Sequence, residues 1–286
     1  MDTVIQILIF GISFGVVLFL ASFAFSVSLG LMGVINASHG AIFMVGGFTG
    51  ITVAEQTGNW LLGVLAGGIT ASLIALIIHL GFLQHLYKQA LPQILVTFGW
   101  SFALANISLW IWGAMGRMVA KPASLTAILY ISDVPFPVYR LGLTIIGIGI
   151  FFLFWWVQEK TRVGAIIRAG MDDAETLSAL GVNLKPVAVG AFSLTLGLAG
   201  MAAVAASPVL GGISFGTWTY VLFMSIIIAI IGGVGSVQGT FVGALIVGVL
   251  WMWLATFFSE LPTIGTYVVL IIILLFRPWG LFGRKP

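Results

Sequence analysis

Uninterrupted apolar runs alternate with short polar segments along most of the chain. A helix that crosses the hydrocarbon core of a bilayer needs roughly 20 apolar residues, and most of these runs approach or exceed that length without an Asp, Glu, Lys or Arg. The predicted spans are 4–31, 34–51, 60–84, 92–115, 141–158, 187–206, 218–232, 238–258 and 263–276. The pattern predicts an all-α polytopic membrane protein with about 8–9 transmembrane helices in one transmembrane domain, 1–286.

The second run differs from the others. It is short, it begins inside the polar stretch Asn36-Ala-Ser-His-Gly40, and it carries glycines at positions 40, 46, 47 and 50. Glycine and polar residues weaken a helix, so this run predicts a broken or re-entrant helix.

Composition and charge agree with a membrane protein. The chain is 60% hydrophobic and 7% charged, whereas a soluble domain is about 25% charged. Little length remains outside the runs, so a soluble catalytic domain does not fit. The absence of cysteine excludes disulfides and thiolate chemistry.

The distribution of Lys and Arg predicts the orientation, because cytoplasmic loops of membrane proteins carry an excess of both. Placing segment 159–186 in the cytoplasm leaves only three basic residues outside, Arg117, Lys121 and Arg140. The inside set is Lys88, Lys160, Arg162, Arg168, Lys185, Arg277, Arg284 and Lys285. The N-terminus is therefore expected in the periplasm and the C-terminus in the cytoplasm. An eight-span count would break this assignment unless the second run enters and leaves on one face.

The apolar runs contain no Asp, Glu, Lys or Arg, although His39, His79 and His85 lie in or beside them. Transporters coupled to protons or ions usually hold such groups in the membrane. The energy for any transport is therefore expected to come from another source.

The longest polar segment, 159–186, looks like a docking element. Asp172 with Glu175 resembles a capping box, and Gly181 suits the position after a helix end, which together predict a two-turn helix. So short a helix is marginal in water unless it packs on a partner. Leu177 and Leu180 would form an apolar plug for that partner, but the spacing also fits a solvated loop.

Residues of this segment resemble a known family. The pattern Arg162-x-Gly164-x-x-x-Arg168-Ala169, Asp173-x-Glu175 and Ala179-x-Gly181-Val182-Asn183 is similar to the cytoplasmic coupling loop of permeases from branched-chain amino-acid ABC importers. The resemblance implies that the segment docks on an ATP-hydrolysing subunit. The coupling residues would be Arg162, Gly164, Arg168, Asp172, Asp173, Glu175, Leu177, Gly181 and Asn183.

Other stretches resemble the same family in the same order, over nearly the whole chain. They are Asn36-x-x-His39-Gly40, Thr97-Phe-Gly99 through Trp112-Gly113, Gly232-Gly-Val-Gly-Ser-x-x-Gly239-x-x-x-Gly243 and Phe276-Arg-Pro-Trp-Gly-Leu-Phe-Gly283. One position departs from the family, since many members have an acidic residue after His-Gly and this chain has Ala41. The departure weakens any assignment of the substrate by analogy.

The resemblance implies a permease domain that forms the pathway for branched-chain or related amino acids, driven by ATP hydrolysis on separate subunits. No lysine of the chain lies in a Gly-x-x-x-x-Gly-Lys-Ser/Thr phosphate-binding loop, so ATP and Mg belong to partner subunits. No catalytic residue, metal site or cofactor is expected in this chain itself.

The expected partners follow from the same resemblance. They are a second homologous permease, favoured to be a paralogue in a heterodimer, two cytoplasmic ATP-binding subunits, a periplasmic or extracellular solute-binding protein, and membrane lipid, with no nucleic acid. The expected location is the bacterial cytoplasmic (inner) membrane.

Pathway residues are sought where irregular backbone and polar groups coincide at membrane depth. The main candidates are Asn36, Ser38, His39 and Gly40. Thr97 and Asn106, taken as one face of the fourth span, are lesser ones, and structural hydrogen bonds would explain them equally well. The second irregular stretch is assigned to a gate or to packing, with Gly232, Gly233, Gly235, Ser236, Gln238 and Gly239.

Two other classes of protein compete with the importer permease. A passive channel for small polar solutes would suit a glycine-rich interior without charges equally well. An intramembrane enzyme needs a catalytic pair at depth, and the scarcity of ionisable residues disfavours it.

Overall fold

The structure is a computed structural model that describes residues 2–33, 35–86, 89–131 and 134–283. Within these ranges ten α-helices form the protein, together with one β-hairpin and two short 3-10 turns. The helices are α1 Asp2–Met32, α2 His39–Thr57, α3 Trp60–Gly81, α4 Ala90–Trp112, α5 Val138–Lys160, α6 Arg162–Ala179, α7 Leu184–Leu210, α8 Thr217–Gly232, α9 Val237–Phe257 and α10 Pro262–Phe276. The strands β1 Ile128–Ile131 and β2 Val134–Pro137 pair antiparallel, with Leu129 opposite Phe136.

Every predicted apolar run overlaps one of these helices, so the all-α polytopic membrane fold is confirmed, with the hairpin as a small addition. The largest displacement is at the second run, 34–51, where α2 spans His39–Thr57. In the described part of the chain, α1, α4, α5, α7, α9 and the stretch Trp60–His85 are long and apolar enough to cross a membrane. Helices α8 and α10 are apolar but shorter. Helix α2 lies inside the bundle and is buried along most of its length.

Close contacts between glycines and small residues hold the helices together. A Cβ added to Gly15 or Gly248 would overlap backbone atoms of the facing helix, so α1 and α9 pack backbone to backbone. Gly46 of α2 meets Gly67 of α3 and Gly200 of α7 in the same way. Lipid tails are as apolar as leucine, so helices associate in a bilayer through such close packing.

The connections gather at two ends of the bundle. The first, named the α6 end, holds residues 82–86, 161–183, 233–236 and 277–283. The second, named the hairpin end, holds 57–59, 113–131, 134–137, 211–216 and 258–261. Contacts between distant segments support this grouping. Gln158 Nε2 donates a hydrogen bond to the Gly235 carbonyl at 3.3 Å, and the backbones of Arg117 and Ile213 pair at the other end.

Candidate functional site

Gly33 and residues 35–38, named the re-entrant segment, turn back into the bundle after α1. The turn begins at Gly33, whose φ of +61° suits glycine. At the far end of the segment, His39 Nε2 donates to the Ala21 carbonyl at 2.7 Å. Ala21 lies eleven residues before the end of α1, which is about 16 Å along the helix axis. The chain therefore re-enters the bundle by roughly that depth before α2 starts.

The helix interruption expected within 34–51 is confined to this re-entrant segment, because α2 runs without a break from His39 to Thr57. Gly40 explains how α2 can start so deep. A Cβ on Gly40 would overlap the carbonyl oxygen of Trp218, so the first turn of α2 lies directly against the backbone of α8.

Two hydroxyls of α4 hold the backbone of the re-entrant segment. The Ala37 N–H donates to Thr97 Oγ1 at 3.1 Å, and Ser101 Oγ donates to the Ala37 carbonyl at 2.7 Å. Both hydroxyl side chains are fully buried. They supply the partners that a helix would otherwise provide, because an unpaired peptide group is costly away from water.

Asn36 and His39 keep unused polar atoms beside this segment. The Asn36 Oδ1 accepts from the Ser38 N–H at 3.0 Å and from Ser38 Oγ at 2.6 Å. Asn36 Nδ2 and His39 Nδ1 have no hydrogen-bond partner among the described residues, although both side chains are buried. The site thus holds one spare donor and one spare acceptor.

The expectation that Thr97 and Asn106 share a face of the fourth span is wrong. Nine residues of α-helix make two and a half turns, so the two side chains point in opposite directions. Thr97 is buried against the re-entrant segment, whereas Asn106 is exposed and donates to the carbonyl of Phe102 at 2.8 Å.

The polar segment 159–186 forms a longer helix than predicted. Helix α6 has 18 residues and starts at Arg162, where Thr161 Oγ1 accepts from the Gly164 N–H at 3.1 Å. Asp172 therefore lies inside the helix and is not its N-cap. Thr161 is also a capping residue, and a helix nucleated there extends at little further cost.

The predicted end of this helix is confirmed. Gly181 has a φ of +81°, and the Val182 N–H donates to the Leu177 carbonyl at 3.3 Å. This is the Schellman arrangement, which favours glycine after the last helical turn. Asn183 then begins α7, with its Oδ1 accepting from the Lys185 N–H at 3.1 Å.

Several proposed coupling residues join α6 to its own chain. A Cβ on Gly164 would overlap the carbonyl oxygens of Val157 and Gln158, so α6 leaves α5 at a very tight turn. Arg168 Nη1 lies 3.8 Å from Glu159 Oε2. The side chains of Asp172, Asp173 and Glu175 lie outside the described residues.

The exposed surface of α6 differs from the expected plug. Leu177 is 9% exposed and Leu180 is 74% exposed. Of these two leucines, Leu177 therefore packs inside this chain and Leu180 is available to a partner. Arg162 is exposed at the other end of the helix.

The late glycine motif forms a tight turn between α8 and α9, named the glycine turn and comprising residues 232–239. Gly233 and Gly235 have φ angles of +99° and +77°, and Ser236 Oγ accepts from the Gly239 N–H at 3.0 Å. A Cβ on Gly232 or Gly239 would overlap the other residue's backbone. Gln238 is partly buried on the first turn of α9.

The terminal family stretch packs on this glycine turn, a contact that sequence reasoning missed. The Leu281 and Phe282 N–H groups donate to the Ile231 and Gly232 carbonyls, each at 2.9 Å. Gly30 of α1 also meets Gly235 backbone to backbone. Long-range contacts of this kind leave no local signal in the sequence.

Ser101 and Gln158 were also missed. Ser101 lies one helical turn after Thr97 on the same face, and that spacing could have identified it. No comparable signal points to Gln158. Within the described ranges, no three His, Asp or Glu side chains are grouped as a metal site requires.

The bundle of apolar spans, the buried polar segment and the amphipathic helix between two spans define a membrane permease. The family described as branched-chain amino acid transport system / permease component matches residues 7–277, and the chain belongs to that family. The chain is therefore a permease subunit of an ABC importer, and the family implies association with ATP-binding and solute-binding components.

Two relatives match over almost their entire length. The permease LivH of the high-affinity branched-chain amino acid transport system of Salmonella typhimurium is 26% identical, covering 96% of this chain and 94% of LivH. The corresponding permease BraD of Pseudomonas aeruginosa is 25% identical, covering 98% and 96%. Among solved structures, PsaBC from Streptococcus pneumoniae in complex with Fab has a similar fold, with a TM-score of 0.53 at 12% identity, covering 96% of this chain and 92% of that one.

Proposed function

We propose that this permease moves branched-chain or related apolar amino acids into a bacterial cell across the inner membrane. It would pair with a second, paralogous permease, receive solute from a binding protein at the hairpin end and be driven by two ATP-binding subunits at the α6 end. The observation that carries the proposal is α6, an amphipathic helix that connects two spans, with Arg162 exposed at its start and Leu180 exposed just after its end.

The orientation follows from the charges at the two ends. The basic residues Lys160, Arg162, Arg168, Lys185 and Arg277 lie in or next to the α6 end, and Arg117, Lys121 and Arg140 lie in or next to the hairpin end. The positive-inside rule then puts α6 in the cytoplasm. With nine crossings, by α1–α5 and α7–α10, the N-terminus is periplasmic and the C-terminus cytoplasmic.

Motion of an ATP-binding subunit would reach the spans through short contacts. Arg168 joins α6 to the last turn of α5 through Glu159, and Gly164 keeps the two helices in contact. From α5, the bond between Gln158 and the Gly235 carbonyl leads to the glycine turn. A shift of α6 would therefore move α5, α8 and α9 together, and the glycine turn serves as a packed joint.

The re-entrant segment is our candidate for the solute pathway. Its backbone is already anchored to Thr97 and Ser101, while Asn36 Nδ2 can donate and His39 Nδ1 can accept. A zwitterionic amino acid offers a carboxylate and an ammonium, which match one donor and one acceptor. Both atoms are buried here, so α2 and α4 would have to separate before solute could contact these atoms.

The apolar surroundings of this segment favour an apolar side chain on the solute. Ala41 stands next to Gly40 and is completely buried, so no carboxylate charge is available there. The printed names of LivH and BraD give branched-chain amino acids as the substrates of their transport systems.

The test uses the fact that the chain has no cysteine. In Leu180→Cys the only thiol of this chain lies at an exposed position just after the end of α6. A short thiol-reactive photo-crosslinker then joins this thiol to the ATP-binding subunit. We expect a crosslink and a loss of ATP-dependent leucine uptake by at least tenfold in proteoliposomes that contain the complete complex. Uptake should be inhibited by valine and isoleucine and not by glutamate.

Met118→Cys is the matched control, because Met118 is also exposed but lies at the hairpin end. It should give no crosslink to the ATP-binding subunit and retain uptake. If Leu180→Cys forms no crosslink while Met118→Cys does, the docking surface is wrong. Leucine uptake without ATP would contradict the importer mechanism.

A further inference from the structure

A cavity of about 450 Å³ opens at the α6 end, between α1, α5 and α7, with α6 along its edge. Its lining is almost entirely apolar. The principal lining residues are Phe23, Phe154, Val163, Ile167, Val187 and Leu194. The cavity arises because α5 and α7 touch through Tyr139 and Ala205 near the hairpin end and separate toward α6.

The cavity opens at the outer surface of the helix bundle. Leu194 on α7 is 58% exposed and Val163 on α6 is 48% exposed, so its wall is part of the outer surface of one span and of α6. Along α7 the lining extends from Pro186 to Thr195, nine residues or about 14 Å. That length is close to half of the roughly 30 Å hydrocarbon core.

The polar side chains of the lining do not suit a polar solute. Gln158 Nε2 already donates to the Gly235 carbonyl, and Thr195 Oγ1 donates to the Ala191 carbonyl at 2.7 Å. An apolar cavity is a poor site for water and a good site for hydrocarbon. An acyl chain from the surrounding leaflet fits this lining, and a zwitterionic amino acid does not.

The rim of the cavity is positively charged. Lys160, Arg162 and Lys185 are exposed and lie within two residues of lining positions. The adjacent carboxylate of Glu159 faces Arg168. Exposed basic residues at the membrane surface attract anionic lipid headgroups.

We propose that this cavity binds one anionic phospholipid, with an acyl chain between α5 and α7 and its headgroup at the rim. The site lies beside α6, so an occupied cavity would support the position of that helix. Lipid binding in this cavity does not depend on the proposed transport function. The assignment of the cavity to the cytoplasmic leaflet does rest on that function.

Gly190 offers a direct test, because it lines the cavity and a Cβ built on it meets no atom within 4 Å. Gly190→Leu would fill the space that we assign to the acyl chain. The purified chain, with the subunits that accompany it, is delipidated and titrated with dioleoyl phosphatidylglycerol or dioleoyl phosphatidylcholine. Native mass spectrometry measures the bound lipids.

We expect the unchanged protein to hold one phosphatidylglycerol about tenfold more tightly than phosphatidylcholine, and Gly190→Leu to weaken that lipid at least tenfold. Gly149→Leu is the control, since Gly149 also has open space around it and lies on α5 outside the cavity lining. It should bind lipid like the unchanged protein.

Lys185→Gln tests the headgroup independently and keeps the cavity intact. It should reduce the preference for phosphatidylglycerol at least fivefold and leave phosphatidylcholine unchanged. If Gly190→Leu still binds one phosphatidylglycerol with unchanged affinity, or if leucine displaces the lipid, the proposal is overturned. Equal affinity for the two lipids would refute the role of the basic rim.

Discussion

Backbone groups that leave a helix inside a membrane need other partners, and the side chains of α4 provide them here. Thr97 and Ser101 bond to the N–H and the carbonyl of a single residue, Ala37. Ser108, three helical turns from Thr97, is equally buried but bonds to Leu104 in its own helix at 2.8 Å. The two serines are equally buried, but Ser101 bonds to the re-entrant segment and Ser108 bonds to its own helix.

We expect Ser101→Ala to lower the free energy of unfolding by roughly 1–3 kcal/mol, because it leaves a buried carbonyl without this donor. Ser108→Ala should change it by less than about 1 kcal/mol, since the Leu104 carbonyl keeps its helical environment. Thermal unfolding of both variants in the same detergent measures the difference. Equal effects of the two substitutions would contradict the anchoring role of Ser101.

At the scale of elements, glycine decides how closely the helices and turns approach one another. The glycine turn is the clearest case, because Gly239 faces the carbonyl of Gly232 with no space for a Cβ. Gly99 on α4 has no neighbouring atom within 4 Å of such a Cβ. Both glycines lie in membrane helices. A difference between their alanine substitutions therefore reports packing and not the preference of a helix for alanine over glycine.

We expect Gly239→Ala to reduce stability by about 1–3 kcal/mol, as overpacking against rigid backbone does. Gly99→Ala should be neutral or stabilising by up to about 1 kcal/mol, because alanine favours a helix over glycine. The midpoint of thermal unfolding gives both values. A stabilised Gly239→Ala would show that the glycine turn is not tightly packed.

At the scale of the whole molecule, successive spans run between the α6 end and the hairpin end, and the connections between them gather at these two ends. The α6 end contains the amphipathic helix, the glycine turn and the terminal stretch that packs on it. The hairpin end contains the strands and the pairing of Arg117 with Ile213. The orientation of these ends in the membrane determines which side receives solute and which side meets ATP.

Labelling intact cells with a membrane-impermeant maleimide tests this orientation. Met118→Cys should react in intact cells, because the hairpin end is expected in the periplasm, and Leu180→Cys should react only after the membrane is permeabilised. The unchanged chain contains no cysteine and serves as the background. The reverse labelling pattern would invert the proposed topology.

The sequence by itself determined the membrane class, the existence of every apolar helix and the turn at Gly181 that follows α6. These features depend on local hydrophobicity and on backbone conformations that are specific to glycine, and both are visible in neighbouring residues. It did not determine the start of α6, because Thr161 and Asp172 are both capping residues and local pattern does not choose between them. Packing and helix propagation favoured Thr161 as the residue that caps the start of α6.

Only the tertiary structure decided which polar residues belong together. Thr97 and Ser101 are joined to Ala37, which lies 60 and 64 residues away from them along the chain, while Asn106 faces outward. The terminal stretch joins the glycine turn, and α5 and α7 separate to leave the cavity beside α6. Such contacts depend on how long helices cross in three dimensions, and the same local pattern would fit several arrangements.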